Sequence, residues 1–217
     1  MDPGVSPFSS GAEEATIDPR GFGTLVHDVL ARLDFRGDCD IAAWCEHLAP
    51  LHVVLNTAAA AHAAREMIER FVASPHGRRL AEAAAWHREV EFLVAWPLGE
   101  TNGDAPHIRG YIDCLYQDRE GQWRLADYKT DHVAPADVPR SAARYEMQLY
   151  VYAIAAERAL GQSPVELALH FLRPGAQHVF AWNDTARQQA IELVSESILN
   201  LITEEHSGKA TRAQGQL

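Results

Sequence analysis

Long apolar runs are missing from this sequence: no stretch of eighteen or more apolar residues occurs, so no membrane span is expected. Cysteine is scarce. Cys39, Cys45 and Cys114 are scattered without C-x-x-C spacing, which implies neither a zinc knuckle nor a disulfide framework. The opening "MDPGVSPFSSGAEEATIDP" has neither the basic start nor the apolar stretch of a signal peptide, and a cytoplasmic protein is expected. Positive charge is in deficit, with 19 Lys and Arg against 30 Asp and Glu and a net charge of −11. That balance argues against a protein whose main task is to hold nucleic acid, because phosphate neutralisation supplies much of such affinity. It leaves room for an enzyme that gathers carboxylates around a metal and keeps a local basic path, and Arg70, Arg78, Arg79 and Arg88 do cluster. No G-x-x-x-x-G-K-[ST] loop is present, so the chain has no ATP-driven motor and no nucleotide cofactor is expected. Internal repeats and low-complexity tracts are also lacking.

What is present is ordinary for a globular domain: 217 residues, 47% hydrophobic and 23% charged. Residues 1–19 read as a flexible leader and 206–217 as a flexible tail, around one domain spanning 20–205. In its helical part, residues 20–85, Leu25, Val26, Val29, Leu30 and Leu33 recur at helical spacing. A second helix is expected near 40–48. Asn56 or Thr57 can cap a third, running to about Ala73 before Ser74-Pro75, and a short helix follows over about 77–85. From Trp86 the period changes to two. Trp86, Arg88, Val90, Phe92, Val94 and Trp96 fall on one strand face, with His87, Glu89, Glu91 and Leu93 on the other. "ETNGD" and "QDREGQ" mark turns between three strands, at 86–96, 107–116 and 123–130. A helix over 136–160 stopped by Gly161, two strands around a Pro-Gly turn, and a helix from Asn183 to about Glu205 complete the core. The fold class is α/β, with a partly antiparallel central sheet of about five strands and helices on its faces.

The segment "DYKTD", residues 127–131, carries the chemistry. Side chains alternate on a strand, so Asp127 and Lys129 share a face about 6.6 Å apart, at ~3.3 Å per residue. Alone, a D-x-K tripeptide is most simply an exposed ion pair. On the preceding strand, however, Asp113 follows Gly110 in a G-x-x-D spacing, and pairing across the "QDREGQ" turn would bring Asp113 near Asp127. Two carboxylates brought together repel, and burying them uncompensated is costly. A divalent cation resolves that repulsion, and oxygen ligands suit Mg²⁺ or Mn²⁺.

"GTLVHDVLARL", "REVEF", "IRGYIDCLY", "WRLADYKTD" and "YEMQLYVYAIA" occur in the order seen in RecB-like nuclease domains of the PD-(D/E)XK superfamily, and look closest to the AddA-type domain. The resemblance covers roughly residues 21–173 and implies a restriction-endonuclease-like core. It implies that His27, Asp113 and Asp127 bind metal together with the backbone carbonyl of Tyr128, and that Lys129 is the catalytic lysine. Gln148 and Tyr152 match a Q-x-x-x-Y motif. Tyr145 joins them at helical spacing; the resemblance implies a catalytic part for Gln148 and that Tyr145 and Tyr152 would line the path of a DNA strand. In themselves these residues fit ordinary helix packing equally well, as does a histidine at position 27. Glu89 matches the acid of the first strand and is assigned a catalytic part, with Glu91 on the same face as the alternative. No cysteine cluster follows the Q-x-x-x-Y helix, so no iron–sulfur cluster is expected.

The function so implied is a Mg²⁺-dependent deoxyribonuclease, with Mn²⁺ able to substitute, acting as an exonuclease in DNA end processing and recombinational repair. DNA, single-stranded or at duplex ends, is the expected partner, and a helicase motor in the same protein or complex a further one. The acidic charge predicts weak DNA binding by the isolated domain and activity that falls with salt. The alternative is a catalytically silent module that keeps the fold to bind DNA or a helicase. A metal-dependent phosphohydrolase built on "HD" at His27-Asp28 is disfavoured, since that family is all-helical and this chain turns to strands.

Overall fold

The computed structural model describes residues 17–214 apart from 38, 53–54 and 100–104; the expected leader up to residue 16 and the "ETNGD" turn lie outside the described residues. Side-chain caps set the helix starts. Asp18 accepts the Gly21 N–H at the head of α1 (Pro19–Arg32), and Asp40 and Asn56 do the same for α2 (Ile41–Leu48) and α3 (Thr57–Val72). Each cap satisfies an amide that lacks an intrahelical partner. Ser74 caps α4 (Pro75–Glu82), which begins two residues before the expected Gly77 because proline is favoured at the first helical position.

The sheet is a single five-stranded one in the order β1 (Ala85–Ala95), β2 (His107–Gln117), β3 (Trp123–Lys129), β4 (Glu166–Phe171), β5 (Ala176–Phe180). β1, β2 and β3 form an antiparallel meander, β3 and β4 are parallel, and β5 returns antiparallel. A parallel pair needs a long crossover. Here it is a 3-10 turn (Pro135–Asp137), α5 (Val138–Ala142), a second 3-10 turn (Ala143–Tyr145) and α6 (Glu146–Leu160), rather than the continuous helix expected from 136. Pro135 and Pro139 lack the N–H that a continuing helix would use, so they sit in first turns and the path restarts. Gly161, in the left-handed conformation at φ +68°, closes α6. Asn183 caps α7 (Asp184–Gln214), whose backbone stays helical past Glu205, where a loose tail was expected.

The sheet separates two apolar cores. Helices α1 to α4 pack Phe22, Leu25, Ile68 and Phe71 against Cys114, Tyr116, Ala126 and Tyr128. On the opposite face, α6 and α7 pack Leu149, Ile154 and Val194 against Leu115, Leu125, Leu167 and Phe171. Each buried Leu, Ile, Val or Phe among them contributes about 1.5–3 kcal/mol by leaving water.

The alternation expected over 86–96 breaks midway. Trp86 packs against the first core, whereas Phe92, Val94 and Trp96 belong to the second, although all four occupy even positions. An unbroken pleat would keep them on one face. The break falls at Glu89, a non-glycine residue at φ +49°, which costs on the order of 1 kcal/mol or more. β2 turns with it, since Cys114 belongs to the first core and Ile112 to the second.

Candidate active site

The candidate site forms where β2 leaves β3. Their ladder runs from Gln117↔Trp123 to Cys114↔Ala126 and stops before Asp113 and Asp127 would face each other. Beyond that point β3 pairs only with β4. The Lys129 carbonyl accepts from the Leu172 N–H on the β4 side, so the amide and carbonyl of Tyr128 point the other way, toward the departed β2. Side chains take over both groups. The Tyr128 N–H donates to Asp113 Oδ2 at 2.7 Å, and the Tyr128 carbonyl meets His27 Nε2 at 3.0 Å. His27 arrives from α1, held by its buried neighbours Val26 and Leu30, and its Nδ1 lies 3.5 Å from Asp113 Oδ1.

Asp127 points to the α6 face, fully buried. Lys129 Nζ stands 2.6 Å from its Oδ2, an ion pair whose angles leave that oxygen without a hydrogen bond. Gln148 Nε2, on α6, lies 3.4 Å from Asp127 Oδ1 and 2.6 Å from the Tyr152 hydroxyl. Burial pushes the Asp127 carboxyl well above its usual range, and the Asp113 charge adds to that; Lys129 only partly opposes them. Partial desolvation also raises Glu89, although the residue is exposed, with Asp113 again adding. Burial alone would lower His27, but the hydrogen bond and charge of Asp113 carry its pKa above the usual value. The site thus concentrates negative charge that a single lysine does not neutralise.

Glu89, Asp113 and His27 present ligand atoms within 4.8 Å of one another. Glu89 stands in the gap between the pairs Arg88↔Cys114 and Val90↔Ile112, opposite Asp113. Glu91 is turned instead to Arg109, 2.5 Å away. Asp127 sits outside that triad, joined to it through its chain neighbour Tyr128, which contacts Asp113 and His27. The residues fit a hard divalent cation: one imidazole, several carboxylates and a carbonyl are the donor set that Mg²⁺ or Mn²⁺ accepts. The 3.0 Å between His27 Nε2 and the Tyr128 oxygen is also near the spacing of adjacent octahedral ligands, on the order of 3 Å for bonds of ~2.1 Å.

Tyr145 is the third residue of the expected helical face, with Gln148 and Tyr152. It precedes α6, in the 3-10 turn, and its ring covers the Lys129 ammonium at 4.6 Å from the centroid. Its hydroxyl donates to Asp131 Oδ2 at 3.0 Å. Asp131 is the residue that sequence reasoning missed; its position in "DYKTD" was visible, but nothing local announces a partner fourteen residues on. Trp86 and Trp96 have other partners: the Arg36 and Arg88 guanidinium groups lie 4.6 and 4.8 Å from the Trp86 ring centroid, and Trp96 donates to Ser195.

Comparison with known proteins shows the family. A profile of the PD-(D/E)XK nuclease superfamily matches residues 7–215. An ATP-dependent helicase/nuclease subunit from Acetivibrio thermocellus is 32% identical over 163 residues, covering 70% of this chain and 13% of that protein. The corresponding subunit from Pelotomaculum thermopropionicum is 34% identical over 165 residues, covering 71% and 13%. That from Desulforudis audaxviator is 33% identical over 172 residues, covering 75% and 14%. The chain therefore spans only about one seventh of the curated relatives it matches. No helix among the described residues is long and apolar enough to cross a membrane.

Proposed function

Because this chain belongs to the PD-(D/E)XK nuclease superfamily, we propose that it is a Mg²⁺-dependent deoxyribonuclease that hydrolyses phosphodiester bonds at DNA ends. The observation that carries this reading is the Asp127–Lys129 pair, 2.6 Å apart, at the strand end where His27, Asp113, Glu89 and the Tyr128 carbonyl converge. His27, Asp113, Glu89 and the Tyr128 carbonyl would hold the cation, with Asp127 beside them. A bound divalent ion supplies charge neutralisation at the phosphate and lowers the pKa of water.

The remaining chemistry belongs to the chain. Lys129 places a fixed positive charge where negative charge builds on the phosphoryl oxygens, and its ammonium can orient the attacking water. Gln148, held by Tyr152, offers an amide donor next to the same carboxylate and limits the rotamers of Asp127. Tyr152 is buried and packs edge-on against Phe92 at 5.6 Å, so it braces the site from beneath the hairpin. The similarity to helicase/nuclease subunits supports DNA as the substrate and a helicase motor, in the same polypeptide or a partner, as the source of strand ends.

End-labelled linear and circular DNA, single- and double-stranded, incubated with Mg²⁺, Mn²⁺ or EDTA, gives the test. Degradation of linear DNA that EDTA abolishes, and that Asp113→Ala and Lys129→Ala each remove, is the expected result. Undiminished degradation by either variant would sink the assignment of this site. DNA binding without degradation under any metal would identify a silent binding module instead.

A further inference from the structure

Lys129 is held on two sides. The Asp127 carboxylate draws it from one, at 2.6 Å, and the face of Tyr145 from the other, at 4.6 Å. The tyrosine is itself fixed. Its hydroxyl is tied to Asp131 at 3.0 Å, and its ring meets the edge of Phe171 at 6.4 Å. Phe171 is fully buried and is the β4 partner of Lys129 across the parallel ladder. Arg144 also stands near the ring, at the outer limit of 6.0 Å.

We infer that Tyr145 is a positioning residue for Lys129, with Asp131 as its tether, rather than a base-stacking platform for DNA. This rests on the reading of Lys129 as the catalytic lysine. The physical argument concerns a flexible side chain. An ammonium on a four-carbon stem has many rotamers and is strongly attracted to water, so a carboxylate alone does not fix its direction. The negative face of an aromatic ring adds a second attraction to that of Asp127 and disfavours the swung-out conformations. Asp131 lies two residues beyond Lys129 on the exit from β3, and the tyrosine it holds belongs to the turn just before α6. The tether therefore links the strand that carries the lysine to the crossover helix that carries Gln148.

The chain contains only two lysines, Lys129 and Lys209, which makes a direct spectroscopic test practical. With selectively ¹³C-labelled lysine, the Lys129 ε-methylene protons are expected upfield of those of Lys209 because they lie over the tyrosine ring. Tyr145→Phe keeps the ring and the shift, and lowers kcat only slightly; Tyr145→Leu removes the shift. In steady-state degradation of linear DNA with Mg²⁺, Tyr145→Leu is expected to lower kcat about 3- to 30-fold with KM nearly unchanged, the range that loss of a partly desolvated cation–π contact implies. Asp131→Ala deletes the same hydrogen bond as Tyr145→Phe and is expected to match it in both readouts. A raised KM with unchanged kcat in Tyr145→Leu, or Lys129 signals that do not move, would overturn the inference and return the ring to the DNA path. Lys129→Ala assayed alongside keeps the questions separate: if that variant is as active as the parent, the site assignment fails, whatever Tyr145 does.

Discussion

Asp113→Asn separates two tasks of one carboxylate. The asparagine oxygen can still accept the Tyr128 N–H, so the bond that closes the ladder end at 2.7 Å survives. What disappears is a negative charge within 4.8 Å of Glu89 and close enough to Asp127 to raise its carboxyl. Two unit charges 4.8 Å apart repel by ~0.9 kcal/mol in water and ~3.5 kcal/mol at an effective dielectric constant of 20. Glu89 is exposed, which places its share near the lower figure. The opposing contribution is His27, which attracts Asp113 only when protonated. Above the histidine range, at about pH 9, that attraction is gone and the repulsion remains. Metal-free Asp113→Asn is therefore expected to be more stable than the parent by ~1 kcal/mol at that pH, a rise of about 2–4 °C in Tm for a domain of this size. Near pH 6 the gain should shrink or reverse, as imidazolium loses its partner. Added Mg²⁺ should raise the parent's Tm through linkage and leave the variant's almost unmoved, and DNA degradation should be lost. Thermal melts in EDTA and in Mg²⁺ at the two pH values, with a degradation assay, measure all of this. A metal-free variant less stable than the parent at about pH 9 would show that the charge itself anchors Tyr128. Equal Mg²⁺ stabilisation of both proteins would place the cation elsewhere.

Gly110 faces Phe92, and a β-carbon there would fall 2.7 Å from Phe92 Cζ and 3.6 Å from Tyr152 Cε1. Gly110→Ala should cost about 1–3 kcal/mol in urea unfolding, the usual range for overpacking, and lower activity through Tyr152; an unchanged midpoint would mean the Phe92 ring is free to move. Burial, with the neighbouring His76 and Arg79, depresses His170 well below 6.5, so the native state stays unprotonated where the unfolded chain binds a proton. The unfolded state then binds more protons below that value, so the contribution of His170 to stability should be flat above pH 6.5 and fall as pH drops through it. A His170→Gln variant should show a shallower acid slope, and an identical slope would remove His170 from the account. Gln148→Leu deletes the amide between Asp127 and Tyr152; a hydrogen bond to a charged group contributes ~1.5–3 kcal/mol, so activity should fall roughly 10- to 100-fold. A fall under twofold would reduce Gln148 to packing.

Much of this was legible in the sequence because local rules decided it. The caps at Asn56 and Asn183, the stop at Gly161 and the shared face of Asp127 and Lys129 each depend on residues a few positions apart. The reading failed where a period was carried across an interruption. Alternation over 86–96 assumed one uniform pleat, and nothing in "WHREVEF" shows that Glu89 adopts a left-handed conformation and that the strand's inward face changes there. Helical spacing from Tyr145 to Tyr152 assumed one continuous helix, whereas the 3-10 turn over Ala143–Tyr145 leaves Tyr145 just ahead of α6 beside Lys129. Glu89 and Glu91 sit two apart on one strand and are equivalent by pattern. Only the register, which leaves Glu89 opposite Asp113 and turns Glu91 to Arg109, separates them.

The site itself depends on a pairing that is not made. Had β2 continued along β3, Ile112 would have taken the amide and carbonyl of Tyr128, and Asp113 would have stood beside Asp127 with their charges adjacent. The turn of the hairpin at Glu89 and Asp113 moves Ile112 into the core under α6 and leaves those two backbone groups to side chains. A carbonyl in a completed ladder is spent on its neighbour strand; the Tyr128 carbonyl is held by a histidine, a partner that can also coordinate an ion. The strain stored at Glu89 is consistent with that arrangement, because the same distortion that breaks the pleat brings its carboxylate to Asp113. Glu89→Gly should relax the backbone at φ +49° and remove the carboxylate together, whereas Glu89→Gln keeps the strain and removes only the charge. A protein stabilised by the first substitution, by about 1 kcal/mol, and impaired in DNA degradation by both would separate the conformational cost of this residue from its chemistry. If the glycine variant were no more stable in thermal melts, the left-handed backbone would not be a source of strain, and this account of how the hairpin turns would fail.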